Sequence, residues 1–355
     1  MPRILIDARS LADSQSGGVN RVAKLWILNQ IKDVDHNHCF CLTTGLKPSI
    51  EVINFCKNHN LNYLHLKIPN KLWTFLCYFN FSSLILSAEN KLKSQIDLLL
   101  LPNLAYTGPI YRPYHILVHD LSFIIEPHWF NLRRRLWHKF INANLRIKHA
   151  HKIYCVSNQT KSDVIKLLNV ANSKCQLFQF DPKIKTLQNK NCKATIQENT
   201  TCEVNDIKPY WIPVTATRIA LMLGGSNPRK NIITALKAIA EFNIKNPKHF
   251  LTPVVLGGKV KFSFSERNIS YVQAPNYLSD KELIWLYQNS SVLLYPSWYE
   301  GFGLPLHEAN QFNLPIISST TGALTETAPP NTILCNPTKI HEWIGGLEIL
   351  IKPII

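Results

Sequence analysis

Short apolar runs recur through this 355-residue chain at the spacing of strand, helix, strand units, and they do so in two successive series. The first series starts with Ile4-Leu5-Ile6 and continues through residues 97–101, 116–118 and 153–156. The second starts at residues 219–223 and continues through 254–256, 292–294 and 316–317. Helical segments separate the runs, for example residues 232–242 and 281–288. Ser279 and Glu282 form a capping-box pattern ahead of the latter. Strands alternating with helices predict parallel sheets covered by helices on both faces. The expected fold class is therefore α/β, with two doubly wound, Rossmann-like domains at 1–181 and 213–355. Residues 182–212 are rich in Lys, Asn and Thr, contain Pro182 and Pro209, and read as a linker with a solvated insertion. Open α/β sheets bind ligands outside the carboxyl ends of their strands, so two such domains facing one another are expected to enclose a cleft.

Composition narrows the function classes. With 46% hydrophobic and 17% charged residues, the chain can bury two ordinary cores. Nine cysteines, odd in number and without a C-x-x-C pair, indicate neither a zinc site nor a disulfide framework, and a reducing cytosol is the expected location. The apolar run before Asp7 and Arg9 is too short for a signal peptide and reads as a first strand. The uncharged stretch at residues 72–88, as long as any in the chain, is short and polar for a membrane span and reads as a buried or interfacial segment. A formal net charge of +16 calls for an anionic partner or surface.

Residues 295–309, Y-P-S-W-Y-E-G-F-G-L-P-L-H-E-A, carry the most chemistry. An apolar strand at 291–295 enters a glycine-punctuated turn bearing Glu300, and a helix is expected to open at Pro305, a residue pre-set for a first helical position. Glu308 then lies about one turn into that helix, so both carboxylates can face one crevice. Gly301 and Gly303 allow close backbone approach, and free amides of the first turn attract anions. The ligand suggested has both hydroxyls and phosphate. A second loop, Gly224-Gly225-Ser226-Asn227-Pro228-Arg229-Lys230, places glycines at a helix start before two cations, which suits a diphosphate. Each of these features has a plain structural reading as well. Acidic residues favour helix starts through the macrodipole, and basic turns are common on surfaces.

The spacing of Glu300 and Glu308 within E-G-F-G-L-P-x-x-E-A resembles the signature of the retaining group 1 (family 4) glycosyltransferases. The resemblance spans most of the chain but is specific only at 222–231 and 295–309. It implies a GT-B architecture, a nucleotide-sugar donor, and no resident cofactor or metal. It further implies that Glu300 touches the transferred sugar and that Glu308 binds the ribose hydroxyls. The intervening Gly301, Phe302, Gly303 and Leu304 would hold sugar and phosphate through backbone amides. Lys230 matches the family's diphosphate-binding lysine. Many relatives carry an arginine five residues earlier, where this chain has Gly225, which leaves Arg229 to supply the second cation.

His119, in Val118-His119-Asp120-Leu121-Ser122, stands where the family commonly has a histidine that contacts the sugar; Asp120 could merely cap the next turn. Gly17 and Gly18, followed by Asn20 and Arg21, resemble the family's amino-terminal glycine loop near the donor phosphates. Residues 129–152 read as a basic amphipathic stretch. Trp129, Leu132, Leu136, Trp137, Phe140, Ile141 and Leu145 fall at helical spacing among Arg133, Arg134, Arg135, Lys139, Arg146 and Lys148. Such a helix can lie on an anionic membrane and meet a lipid-linked acceptor.

The expected function is transfer of a sugar to a glycan or lipid-linked acceptor in polysaccharide or lipopolysaccharide assembly, and the H-D-L-S and P-R-K-N pattern resembles mannosyl- and rhamnosyltransferase-like members. The expected location is cytoplasmic, peripheral on the inner membrane face, with no nucleic-acid partner. Two alternatives stay open on sequence: a binding module for anionic surfaces that keeps the fold without the activity, and a hydrolysing nucleotide-sugar epimerase of the same architecture, which fits the glutamate spacing less well. The chain stops soon after residues 341–350, where family members usually continue into a further helix.

Overall fold

The computed structural model describes residues 2–12, 17–182, 208–260 and 270–351. It divides into two compact units, Met1–Phe180 and Asp181–Ile355. Residues 183–207, most of the expected linker, lie outside the described residues.

In the first unit the described residues form a seven-stranded parallel sheet of order β3-β2-β1-β4-β5-β6-β7. Its strands are β1 (Ile4–Asp7), β2 (Cys39–Thr44), β3 (Asn62–Leu66), β4 (Leu98–Leu101), β5 (Tyr114–Val118), β6 (Lys152–Cys155) and β7 (Cys175–Leu177). The order reverses between β1 and β4, so the crevice favoured for ligands opens where those two strands end. Cys39 and Cys41 share one face of β2, and all the described cysteines are buried free thiols.

The second unit has a six-stranded parallel sheet of order β10-β9-β8-β11-β12-β13. Its strands are β8 (Ile219–Leu223), β9 (Thr252–Leu256), β10 (Val272–Gln273), β11 (Val292–Tyr295), β12 (Ile316–Ser319) and β13 (Ile333–Cys335). Side chains alternate across it with the period of two that a strand imposes. Ile219 and Leu221 pack into a cluster with Trp285 and Leu306, whereas Ala220 and Met222 pack into the opposite cluster with Ile239 and Trp343. Burial on both faces explains why these strands read as continuous apolar runs. The helix Ile232–Lys245 lays Ile232, Ala235, Leu236, Ile239 and Phe242 along one stripe against the sheet. The helix Asp280–Asn289 opens with the reciprocal capping box expected of Ser279 and Glu282. Here the reversal of order falls between β8 and β11, which pair at Ala220 with Val292 and Leu221 with Leu293. The loops leaving these two strands are the glycine-rich basic loop and the Glu300 turn, and the topology makes them neighbours.

The stretch 129–152 is not one helix. It comprises a short turn at Pro127–Trp129, a helix Leu132–Phe140 and a second helix Ala143–Lys148 before β6. Asn142, at φ 49°, adopts the left-handed conformation between the two helices. Asparagine tolerates that conformation better than other non-glycine residues, and the apolar spacing cannot register such a break. No helix among the described residues is long and apolar enough to cross a membrane.

Candidate active site

Lys230 and Arg229 reach Glu300 from the loop after β8. Lys230 Nζ lies 2.7 Å from Glu300 Oε1, and Arg229 Nη1 lies 3.3 Å from Oε2. Arg229 Nη1 also donates to the Tyr299 carbonyl at 2.9 Å, and the Trp298 amide donates back to the Arg229 carbonyl at 2.8 Å. The two loops are thus stitched through side chain and backbone. Lys230 Nζ donates a further bond of 2.6 Å to the Tyr295 hydroxyl.

Burial by itself would raise the Glu300 carboxyl. The charges of Arg229 and Lys230, with the hydrogen bond from Lys230, more than reverse that and hold it at about 2. Desolvation first, and then the negative Glu300, push the Tyr295 phenol well up, so it stays protonated and accepts from the lysine. Two cations face the one carboxylate of Glu300, with Glu308 within electrostatic reach of Tyr295 beside them. Amides of the helix Leu304–Gln311 add a partial positive end in the same loop. An anion is the complementary ligand.

Glycines set the geometry at two places. Gly303, at φ 91°, caps the helix Leu304–Gln311, and a Cβ there would lie 2.6 Å from Leu324 Cδ2. Pro305 falls within the first turn as expected, with the helix opening one residue earlier at Leu304. At Gly225 an added Cβ would run into the Gly258 carbonyl and Val255. No side chain fits there as the backbone runs, and in this loop it is Arg229 that faces the carboxylate beside Lys230.

Glu308 stands in the second turn of that helix, where its Oε2 accepts from the Tyr287 hydroxyl at 2.7 Å. Tyr287 is fully buried on the preceding helix and stacks on Phe312 with ring centres 5.8 Å apart. Phe302 stacks on His307 at 5.1 Å, and its carbonyl accepts from the Thr327 hydroxyl. Behind the Glu300 turn, the hydroxyls of Ser319 and Thr321 donate to the Ser297 carbonyl at 2.5 and 2.7 Å, and the Ala323 amide donates to the Glu300 carbonyl at 3.0 Å. The segment after β12 is therefore a backstop for the turn after β11. Tyr287, Tyr295, Ser319 and Gly322 carry no signal in the sequence. They are neutral residues; Tyr295 ends the strand that leads into the Glu300 turn, whereas Tyr287, Ser319 and Gly322 come from other elements that the fold brings to the site.

The remaining candidates belong to the first unit. His119 follows β5, and its Nε2–H donates to the Pro102 carbonyl at 2.9 Å, just beyond β4. Desolvation lowers its pKa, so the neutral ring with its proton on Nε2 is favoured and Nδ1 is left as an acceptor. Asp120 accepts from the Ser122 amide and hydroxyl at 3.0 and 2.6 Å, a local turn cap. Gly17 and Gly18 open the helix Gly17–Ile31 that follows β1. Among the described residues no group of His, Cys, Asp and Glu is placed to hold a metal ion.

Comparison with known proteins bears on the fold and on the second unit. A family profile described as Glycosyl transferases group 1 matches residues 208–353. The chain is 25% identical over 250 residues to O-antigen chain mannosyltransferase B of Escherichia coli, covering 66% of this chain and 62% of that protein. It is 24% identical to the O-antigen chain mannosyltransferase RfbU of Salmonella typhimurium, covering 68% and 62%. It thus spans about three fifths of the length of these relatives. Sucrose-phosphate synthase from Thermosynechococcus elongatus superposes with a TM-score of 0.61 over 98% of this chain and 89% of that one, at 15% identity. The two doubly wound sheets are those of the GT-B fold. Over residues 208–353, its second unit is similar to the group 1 glycosyl transferases.

Proposed function

We propose that the chain is a retaining glycosyltransferase that moves a hexosyl group, with mannosyl as the first candidate, from a nucleotide-sugar donor to a glycan or lipid-linked acceptor in polysaccharide or lipopolysaccharide assembly. The observation that carries this reading is the convergence of Lys230 and Arg229 on Glu300 at the switch point of the second sheet. The O-antigen mannosyltransferases among the relatives support the sugar and the pathway class.

In this reading the donor diphosphate takes the positive charge of the loop after β8, and Lys230 exchanges part of its bond to Glu300 for a phosphate oxygen. Glu308, oriented by Tyr287, accepts from the ribose diol through charge-assisted bonds. Glu300 and the amides of Gly301 to Leu304 hold the sugar. As the bond to the anomeric carbon breaks, negative charge grows on the departing diphosphate, and positioned cations and amides stabilise that charge as it develops. A metal ion is not required for this step. His119 Nδ1 is available to accept from a hydroxyl of the transferred sugar. The acceptor attacks from the face the diphosphate leaves, and a phosphate oxygen takes its proton. Action at the cytoplasmic face of a membrane is part of the proposal.

The test is release of nucleoside diphosphate from a panel of nucleotide sugars after a thermal-shift screen has found the best one. The wild-type chain is expected to turn over, and His119→Ala to fall by roughly 10²–10³, comparable to losing one positioned transition-state partner. If no nucleotide raises the melting temperature and none is consumed, the binding-module reading takes its place.

A further inference from the structure

From the side chains of two helices in the first unit, we infer that this unit carries an interfacial docking surface for an anionic lipid bilayer. The surface is built from the helices Asn70–Tyr78 and Leu132–Phe140 and not from the single amphipathic helix that the sequence suggests. The first helix buries Trp73 and Cys77 inward and turns Leu72 and Phe75 outward. Just past its end, Phe79 falls in line with Phe75, one turn further on, and the two rings lie 4.6 Å apart. Phe81 follows at 72% exposure. The second helix buries none of its residues, and Leu132 and Leu136 stand 69% and 57% exposed. Stacked rings join the helices. Tyr78 lies on Phe140 at 4.7 Å with planes 16° apart, Phe140 meets Trp137 at 5.6 Å, and Tyr78 meets Phe79 at 5.2 Å.

Single exposed apolar residues need no explanation, but a contiguous apolar patch marks an interaction site. Its charge says which kind. Arg133, Arg134 and Lys139 are exposed on one helix and Lys71 on the other. Neither helix contains an acidic residue. None occurs in the sequence between Glu51 and Glu89, nor between Glu126 and Asp163. Glu126 and Asp120, outside both helices, lie within electrostatic reach of Arg135 and His138 respectively. Aromatic rings flanked by cations on helices that carry no carboxylate suit the headgroup boundary of an anionic bilayer, where rings enter the interface and cations meet phosphate. Arg135 is a lesser contributor, because its Nε donates to the Phe130 carbonyl at 2.9 Å. The inference rests on the proposed function only for the reason a membrane is met, since a lipid-linked acceptor resides there.

The experiment is sedimentation of the purified chain with phosphatidylcholine vesicles, with and without a phosphatidylglycerol fraction. Wild type is expected to bind only the anionic vesicles. Arg133→Gln, Arg134→Gln and Lys139→Gln together are expected to lower binding by about two orders of magnitude, the product of three roughly fivefold factors. Phe75→Ser, Phe79→Ser and Trp137→Ser together are expected to lower it at least ~10-fold at low and at high salt, because the apolar contribution is not screened. All six positions are exposed or lie in the patch, so melting temperature and nucleotide affinity are expected to stay at wild-type values. Binding that ignores the serine changes overturns the inference. So does a stable dimer that the serine changes dissociate, or single-stranded DNA held tightly while vesicle binding is absent. Vesicle binding is read without nucleotide, so a chain that binds vesicles but no nucleotide defeats the transferase reading and leaves this one standing.

Discussion

At the residue scale the account turns on Glu300, a carboxylate buried between two cations. Its folded pKa of about 2 lies below the ordinary 4.5. Because the folded value is depressed, the unfolded chain binds the proton more readily. The stabilisation is therefore complete above pH 4.5 and is lost as pH falls toward 2. Glu300→Gln is expected to cost roughly 3 kcal/mol at pH 7, since it also strands Arg229 and Lys230 without their carboxylate. The gap to wild type in urea midpoint is expected to narrow once pH drops below 4.5. A gap that stays constant from pH 7 to pH 3 would show that the ion pairs do not stabilise the fold. The residues of this cluster were half legible in the sequence. Glycine spacing and charge revealed Glu300, Arg229 and Lys230, because a turn and an anion site need those types. The contacts of Tyr295 and Tyr287 were silent, because a neutral aromatic at a strand end or on a helix is first of all a core residue.

At the element scale, strand, turn and helix cooperate to hold that carboxylate. Gly322 sits in the segment after β12 at φ 58°, and a Cβ on it would lie 2.8 Å from both the amide nitrogen and the carbonyl oxygen of Glu300. Gly322→Ala is accordingly expected to destabilise by ~1–3 kcal/mol and to weaken nucleotide binding, because the turn must shift to make room. Retained midpoint and affinity together would refute the backstop role. The long central strands were legible because burial on both faces makes them uniformly apolar. The edge strands β7, β10 and β13 were not, being two or three residues long and too short to show any period. β3 was also missed, since Asn62-Tyr63-Leu64-His65-Leu66 mixes polar and apolar residues. The stretch 129–152 failed differently. Its apolar spacing survives in the separate helices, but Asn142 turns the chain between them and the long amphipathic face does not form.

At the scale of the whole molecule, the alternation of strand and helix was enough to predict two doubly wound domains, and both sheets reverse order beside their first strand, at β1/β4 and β8/β11. Most of the candidate site segments leave strands at or beside those reversals, where open α/β sheets bind ligands. What binds there is the central claim. Titration calorimetry with the nucleoside diphosphate that best stabilises the chain, on wild type, Lys230→Ala and Glu308→Ala, tests it most directly. Each variant is predicted to lose roughly 1.5–3 kcal/mol of affinity, the range for hydrogen bonds to charged groups. A 2′-deoxyribose ligand is predicted to weaken wild type but not Glu308→Ala. Unchanged affinity in both variants, with wild-type melting behaviour retained, would contradict the assignment of this site to a nucleotide-sugar donor.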